Sequence, residues 1–214
     1  DPAFRAEAST PPTAQESAPR PPLRVRTLRS LLELVRRHPG RFAHKLRSGE
    51  PRRVVQRFVD SFPHASLSWA DVAFLRGLTR LPLLLKGVLR PDDATRAVSE
   101  GVDGIIVSNH GGRQIDGGVA ALDALPRVVA AVDGAVPVLL DSGVRGGADA
   151  FKALALGAAA AGIGRPYMYG LAVAGEAGVR EVLRNFVAEL DLTMAVTGCR
   201  SVAEIGCEIL VREG

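Results

Sequence analysis

From about Ser66 to its end, the chain alternates short aliphatic runs with amphipathic stretches, and this alternation limits the fold more than any other feature. Leu83–Lys86, Gly104–Ser108, Val136–Asp141 and Ala160–Gly164 read as strands. They are nearly continuous in apolar residues, as strands covered on both faces are. Helical stretches separate them. Pro91 followed by Asp92 and Asp93 opens the first in the favoured way, and Gly101 suits its stop. Val119–Val132 is the second, with Pro126 expected to split or kink it. Ala148–Leu156, ended by Gly157, is the third. Helices over about Gly175–Leu190 and Leu192–Thr197 follow the last strand. Repeated strand-then-helix units predict an α/β fold in which a parallel sheet is covered by helices.

The residues before this region have a different texture. Residues 1–22 hold six of the fourteen prolines and no hydrophobic periodicity, which reads as a disordered tail or loop. Residues 23–65 form a basic, amphipathic excursion in which Leu28, Leu31, Leu32 and Val35 fall at helical spacing. Pro39 and Gly40 end that helix early. Between Arg20 and Arg57 there are twelve Lys/Arg against two acids, so the net charge of +4 describes one segment and leaves the rest net acidic. A nucleic-acid partner is not expected, because Phe42 and Phe58 belong to no recognisable module. The bland reading is a solvated helix lying on a larger body; the sharper one is a membrane-surface or partner-docking helix, with peripheral membrane contact through 23–62. No apolar run reaches the roughly 20 residues needed to span a bilayer. Two cysteines are too few for a disulfide framework, which favours a reducing, cytoplasmic setting.

In parallel α/β folds the functional residues collect at the carboxyl ends of the strands. Here those ends are Lys86-Gly87, then Ser108-Asn109-His110-Gly111-Gly112-Arg113, then Asp141-Ser142-Gly143-Val144-Arg145, then Gly164-Arg165-Pro166. The last two loops each supply glycine and arginine ahead of a helix, whose N-terminal N–H groups favour an anion. One arginine alone reads as a surface salt bridge; the pair on neighbouring strand ends reads as a phosphate site. His110, set among glycines, suits a general base or acid. Arg113 can clamp a carboxylate bidentately. Lys86 either pairs with an acid such as Asp141 or places a fixed positive charge beside a group that becomes anionic during reaction.

These segments, with Ser68-Trp69-Ala70-Asp71, Phe151–Ala158, Leu192-Thr193-Met194-Ala195 and Gly198-Cys199-Arg200-Ser201, resemble the FMN-dependent α-hydroxy-acid oxidase and dehydrogenase family from about Leu67 to Ile205. The resemblance implies a (β/α)8 barrel and FMN as cofactor. It implies oxidation of an L-2-hydroxy acid to the 2-oxo acid, with electrons passing through FMN to oxygen or another acceptor. His110 would be the catalytic base and would contact substrate; Arg113 would bind the substrate carboxylate. Lys86 and Ser108 would contact the flavin ring and Asp141 the ribityl chain. Ser142, Gly143, Val144 and Arg145, with Gly164 and Arg165, would hold the FMN phosphate. Many relatives carry Gly where this chain has Ser142.

A complete barrel of this kind takes about 250 residues, whereas Ser66 onward supplies four strand–helix units. These match the family's second half, so the chain, starting at Asp1, reads as a fragment or truncated product. A homo-oligomer is expected of the complete protein. Two other readings stand beside this one. The first is a non-catalytic half-barrel that keeps an anion site. The second is another FMN barrel such as type-2 isopentenyl-diphosphate isomerase, which lacks the pairing of His110 with Arg113.

Overall fold

A computed structural model describes helix α1 (Val25–Arg37), a few isolated positions between residues 41 and 47, and residues 66–211. The expected tail over 1–22 and most of the excursion after α1 lie outside the described residues. The chain divides after Ser68 into two units. In the first, α1 spans the predicted leucine pattern and ends on Arg36 and Arg37, a favourable place for cations. Leu28 and Leu32 are each about half exposed.

The second unit runs α2 (Trp69–Leu78), β1 (Leu84–Val88), α3 (Pro91–Ser99), β2 (Gly104–Val107), α4 (Ala121–Val132), β3 (Val138–Leu140), α5 (Gly147–Ala155), β4 (Ala160–Ala161) and α6 (Arg165–Thr197). The strands form one parallel sheet in the order β1-β2-β3-β4. That order never reverses. Because parallel crossovers are right-handed, every connecting helix then falls on the same side of the sheet. This is the winding of a (β/α)8 barrel, not of a doubly wound sheet.

The two faces of the sheet differ accordingly. Ile105, Val107, Val138 and Leu140 point towards the helices and join Ala124, Leu125 and Val128 of α4 in the main core. Ile105 and Leu125 are wholly buried and Leu140 is 1% exposed. Each such side chain contributes about 1.5–3 kcal/mol through removal from water. Lys86, Ile106 and Leu139 share one register row and face the other way. Ile106 and Leu139 are only half-buried and stand outside that core. After Lys86 the pairing slips at Gly87, whose φ of +98° makes a bulge, so that Val88 rather than Gly87 opposes Val107.

Three expectations are corrected. Pro126 does not split α4, which runs from Ala121 to Val132. It lies in the second turn, where its missing N–H forfeits one hydrogen bond, and the buried face of Ala121, Ala124, Leu125, Val128 and Val132 holds the helix together. The helical segment after β4 begins at Arg165, earlier than expected, and breaks at Ala174 and Gly175, where Gly175 has φ 58° and ψ −137°, a conformation that only glycine enters readily; a helix therefore does start after Gly175 as expected, but a further helix precedes it. No break occurs at Asp191. Strands β3 and β4 are shorter than expected, three and two residues: β3 starts only after Pro137, which has no N–H to give the ladder, and both strands end where the site loops begin.

Candidate active site

The loop after β2 turns through three consecutive left-handed residues, His110 (φ 57°), Gly111 (68°) and Gly112 (72°). Asn109 closes it, accepting the Gly112 N–H on both its backbone oxygen and its side-chain oxygen, each at 3.1 Å. The Asn109 amide also donates to the Val119 carbonyl at 3.2 Å. The turn lifts His110 and Arg113 into solvent, with Arg113 Nη2 2.8 Å from His110 Nε2. A guanidinium has donors only, so Nε2 is the acceptor.

Beneath the turn lies a polar network. Buried Ser108 accepts the Lys86 ammonium at 2.8 Å and the His110 N–H at 3.1 Å. Lys86 also pairs with Asp141 at 3.2 Å. Ser142 Oγ donates to Asp141 at 2.9 Å, accepts the Gly111 N–H at 2.9 Å, and lies 3.3 Å from Ser108 Oγ. Partial burial pushes the Asp141 carboxyl up, but hydrogen bonds from Ser108, Ser142 and Lys86, with the Lys86 charge, outweigh it and hold it below the ordinary carboxylate value. Asp141 therefore stays ionised and keeps Lys86 in place. Lys86 thus takes the first of its two alternatives, the ion pair with Asp141, and it also lines the cleft above.

That cleft, about 480 Å³, is walled by Lys86, His110, Arg113, Asp141, Ser142, Gly143, Val144, Arg145, Gly164 and Arg165. Of the residues singled out from sequence, Ser108 alone is not on its wall; it sits one layer down. Arg165 reaches across to the Gly111 carbonyl at 3.0 Å. Among the described residues, Arg113, Arg145 and Arg165 have no carboxylate partner, as is also true of Arg80 and Arg127 outside the cleft, whereas Arg76, Arg90, Arg96, Arg180, Arg184 and Arg200 each have one. Three unneutralised cations converging on one cleft suit an anionic ligand.

The two helix starts behind the cleft are not alike. At α5, Asp149 accepts the Arg145 and Gly146 N–H groups at 2.9 and 3.3 Å, and Glu189 of α6 accepts that of Gly147 at 2.9 Å. The start of α5 is thus capped internally. It also abuts α6 so closely that a Cβ on Gly147 would meet the Leu190 backbone nitrogen at 2.1 Å. By contrast, the N–H groups of Gly143, Val144 and Gly164 bond no acceptor among the described residues, and Gly164 has open space around it. Those amides, Arg145 and Arg165 could hold a phosphate, and Lys86 could place a positive charge beside a flavin ring. The residues present fit FMN.

A family model described as FMN-dependent dehydrogenase matches residues 5–212. The chain belongs to this family. It is 51% identical over 158 residues to an L-lactate oxidase of Lysinibacillus sphaericus, covering 74% of this chain and 41% of that protein. It is 51% identical over 160 residues to a peroxisomal (S)-2-hydroxy-acid oxidase of Oryza sativa, covering 75% and 44%, and 55% identical over 148 residues to 2-hydroxyacid oxidase 1 of Mus musculus, covering 69% and 40%. A crystal structure of mandelate oxidase with (S)-2-phenylpropionate superposes with a TM-score of 0.63 and 49% identity, over 64% of this chain and 41% of that one. The chain therefore spans about two fifths of the length of these curated relatives, and its four βα units are half of a (β/α)8 barrel.

Asn109, Asp149 and Glu189 were not singled out from sequence. Asp149 had a readable signal, an acid at the third position of a helix that follows glycines. Glu189 had none, because its partner lies 42 residues away.

Proposed function

We propose that this chain carries the acid–base and phosphate-binding side of an FMN-dependent enzyme that oxidises an L-2-hydroxy acid to the 2-oxo acid. The observation that supports it most is the contact between His110 and Arg113, 2.8 Å apart on the wall of a cleft that also presents Lys86, Arg145 and Arg165. Arg113 takes the substrate carboxylate through its fork and thereby orients the carbon bearing the hydroxyl. His110 then accepts a substrate proton at Nε2, the atom that Arg113 leaves when it turns to the carboxylate. Bound FMN supplies the two-electron acceptor. Gly143, Val144, Gly164, Arg145 and Arg165 hold the phosphate; Ser108 and Asp141 fix Lys86 beside the ring.

The deciding experiment is anaerobic addition of lactate, glycolate or mandelate to the FMN-loaded protein, followed in the visible flavin spectrum. Bleaching by at least one acid is expected. Bound flavin that none of them bleaches supports the non-catalytic alternative.

We also propose a peripheral contact between the basic segment, residues 23–62, and anionic membranes, with the rest of the protein on the cytoplasmic side and assembled as a homo-oligomer. Among the described residues no helix is long and apolar enough to cross a membrane. The half-exposed Leu28 and Leu32 of α1, on a helix rich in arginine, support the surface contact. Co-sedimentation with anionic vesicles that falls as salt is raised is the expected result. Equal binding to neutral vesicles rules the electrostatic role out.

A further inference from the structure

We infer that the Ser142 hydroxyl is the positioning group of the His110 turn, tying its backbone to the Asp141–Lys86 pair. The inference rests on His110 being the base. Ser142 has a φ of +79°, a region that residues other than glycine, asparagine and aspartate seldom enter. A glycine would sit there without strain. What the serine adds is one oxygen, and that oxygen is fully used. It accepts the Gly111 N–H from 31 residues away and donates to Asp141 Oδ1, both at 2.9 Å.

The adjoining bonds show what this achieves. The N–H groups of His110 and Gly111 have no backbone acceptor; they end on Ser108 Oγ and Ser142 Oγ, two oxygens 3.3 Å apart. Ser108 also takes the Lys86 ammonium, and Lys86 and Ser142 meet on Asp141. From the other side, Arg165 holds the Gly111 carbonyl. Gly111 is therefore pinned by its N–H to the hydroxyl that bonds Asp141, the ion-pair partner of Lys86, and by its C=O to Arg165. A left-handed turn of three residues has no ladder or helix to fix it, so these side chains set where the His110 ring stands. Without the hydroxyl, the Gly111 amide loses its acceptor and Asp141 loses a donor.

The test compares Ser142→Gly with Ser142→Ala in the full chain. Glycine removes the hydroxyl and relieves the backbone; alanine removes the hydroxyl and keeps the strained φ. The Gly variant is expected to match the parent in denaturant stability, and the Ala variant to fall below it. In both, deuterium exchange at the Gly111 amide should quicken on the order of tenfold, without matching change in β2 and β3. In FMN-loaded protein both should reduce flavin roughly 10–100 times more slowly, the usual result of a slightly displaced catalytic group. If the serine only stabilised the fold, exchange would follow stability and the Gly variant would exchange as the parent does. Parental exchange and parental reduction in Ser142→Gly overturn the inference. Faster exchange at Gly111 in a protein whose flavin no hydroxy acid bleaches upholds the positioning of the turn and overturns the proposed function instead.

Discussion

The two ends of the sheet each carry an aspartate held by a cation, yet they are built for different ends. Where the strands begin, Arg76 of α2 pairs with Asp103 and also donates to the carbonyls of Thr79 (3.0 Å) and Leu81 (2.8 Å), while Asp103 accepts the Leu83 N–H at 2.7 Å. Apart from the ion pair itself, every one of these bonds goes to backbone, so the pair stitches α2 to the starts of β1 and β2. Where the strands finish, Lys86 and Asp141 bond to serine hydroxyls beneath a cleft, beside three arginines with no acidic partner among the described residues. An ion pair by itself therefore says little about role. What the remaining donors and acceptors touch separates a seam from a site, and in βα barrels the site lies at the carboxyl ends.

The largest expected effect tests the finishing end. His110→Gln keeps size and polarity but removes the base, and should slow flavin reduction by the hydroxy acid roughly 10²–10⁴-fold. FMN binding should stay near parental, because the residues proposed to hold the phosphate are untouched. Anaerobic stopped-flow reduction at the parental rate would remove His110 from the chemistry and erase the contrast. Next comes the layer between the ends. Ile105→Ala opens a cavity at a wholly buried position and should cost about 2–5 kcal/mol of stability in urea denaturation. Reduction per folded, flavin-loaded molecule should be retained, since Ile105 faces the helices rather than the cleft.

The contrast between the ends was only partly legible in the sequence. The finishing end announced itself: Lys86, His110, Arg113, Arg145 and Arg165 stand immediately after aliphatic runs, and chain order alone brings such loops together on one edge of a parallel sheet. The starting end was silent, because Arg76 and Asp103 are ordinary surface residues until α2 packs against β1. Pro166 was a usable signal for a helix beginning at Arg165. The left-handed Ser142 could not be read at all. Sequence gives the residue but not its φ, and the bond that uses its hydroxyl spans 31 positions.

A smaller effect is expected at the starting end. Arg76→Met removes the charge and the bonds to Asp103, Thr79 and Leu81 while keeping an apolar stem of similar length. Thermal unfolding should move down, by less than for Ile105→Ala, and flavin reduction should not change. Slowed reduction at normal stability would mean that the two ends are coupled, and the division drawn between them would fail.

The smallest effect comes from the aspartates themselves. Both carboxyls are held below their ordinary value in the folded chain. At Asp141, burial acts upwards but is outweighed by Ser108, Ser142 and Lys86; at Asp103, the Leu83 N–H and then Arg76 bring the lowering. A depressed folded value means that the unfolded chain binds protons first as pH falls. Both contributions are thus fully present above about pH 4, the ordinary aspartate range, and are lost as pH drops through the folded values. The two should part company in salt. Asp103 is open to solvent, so raising salt to about 1 M should screen much of its share, whereas partly buried Asp141 should keep more of its own. Urea denaturation on either side of pH 4, in low and high salt, on Asp103→Asn and on Asp141→Asn, separates them. The acid loss should be salt-sensitive in Asp141→Asn, where Asp103 carries it, and salt-resistant in Asp103→Asn, where Asp141 does. The reverse pattern would make the starting pair the sheltered one and invert the distinction between a seam and a site.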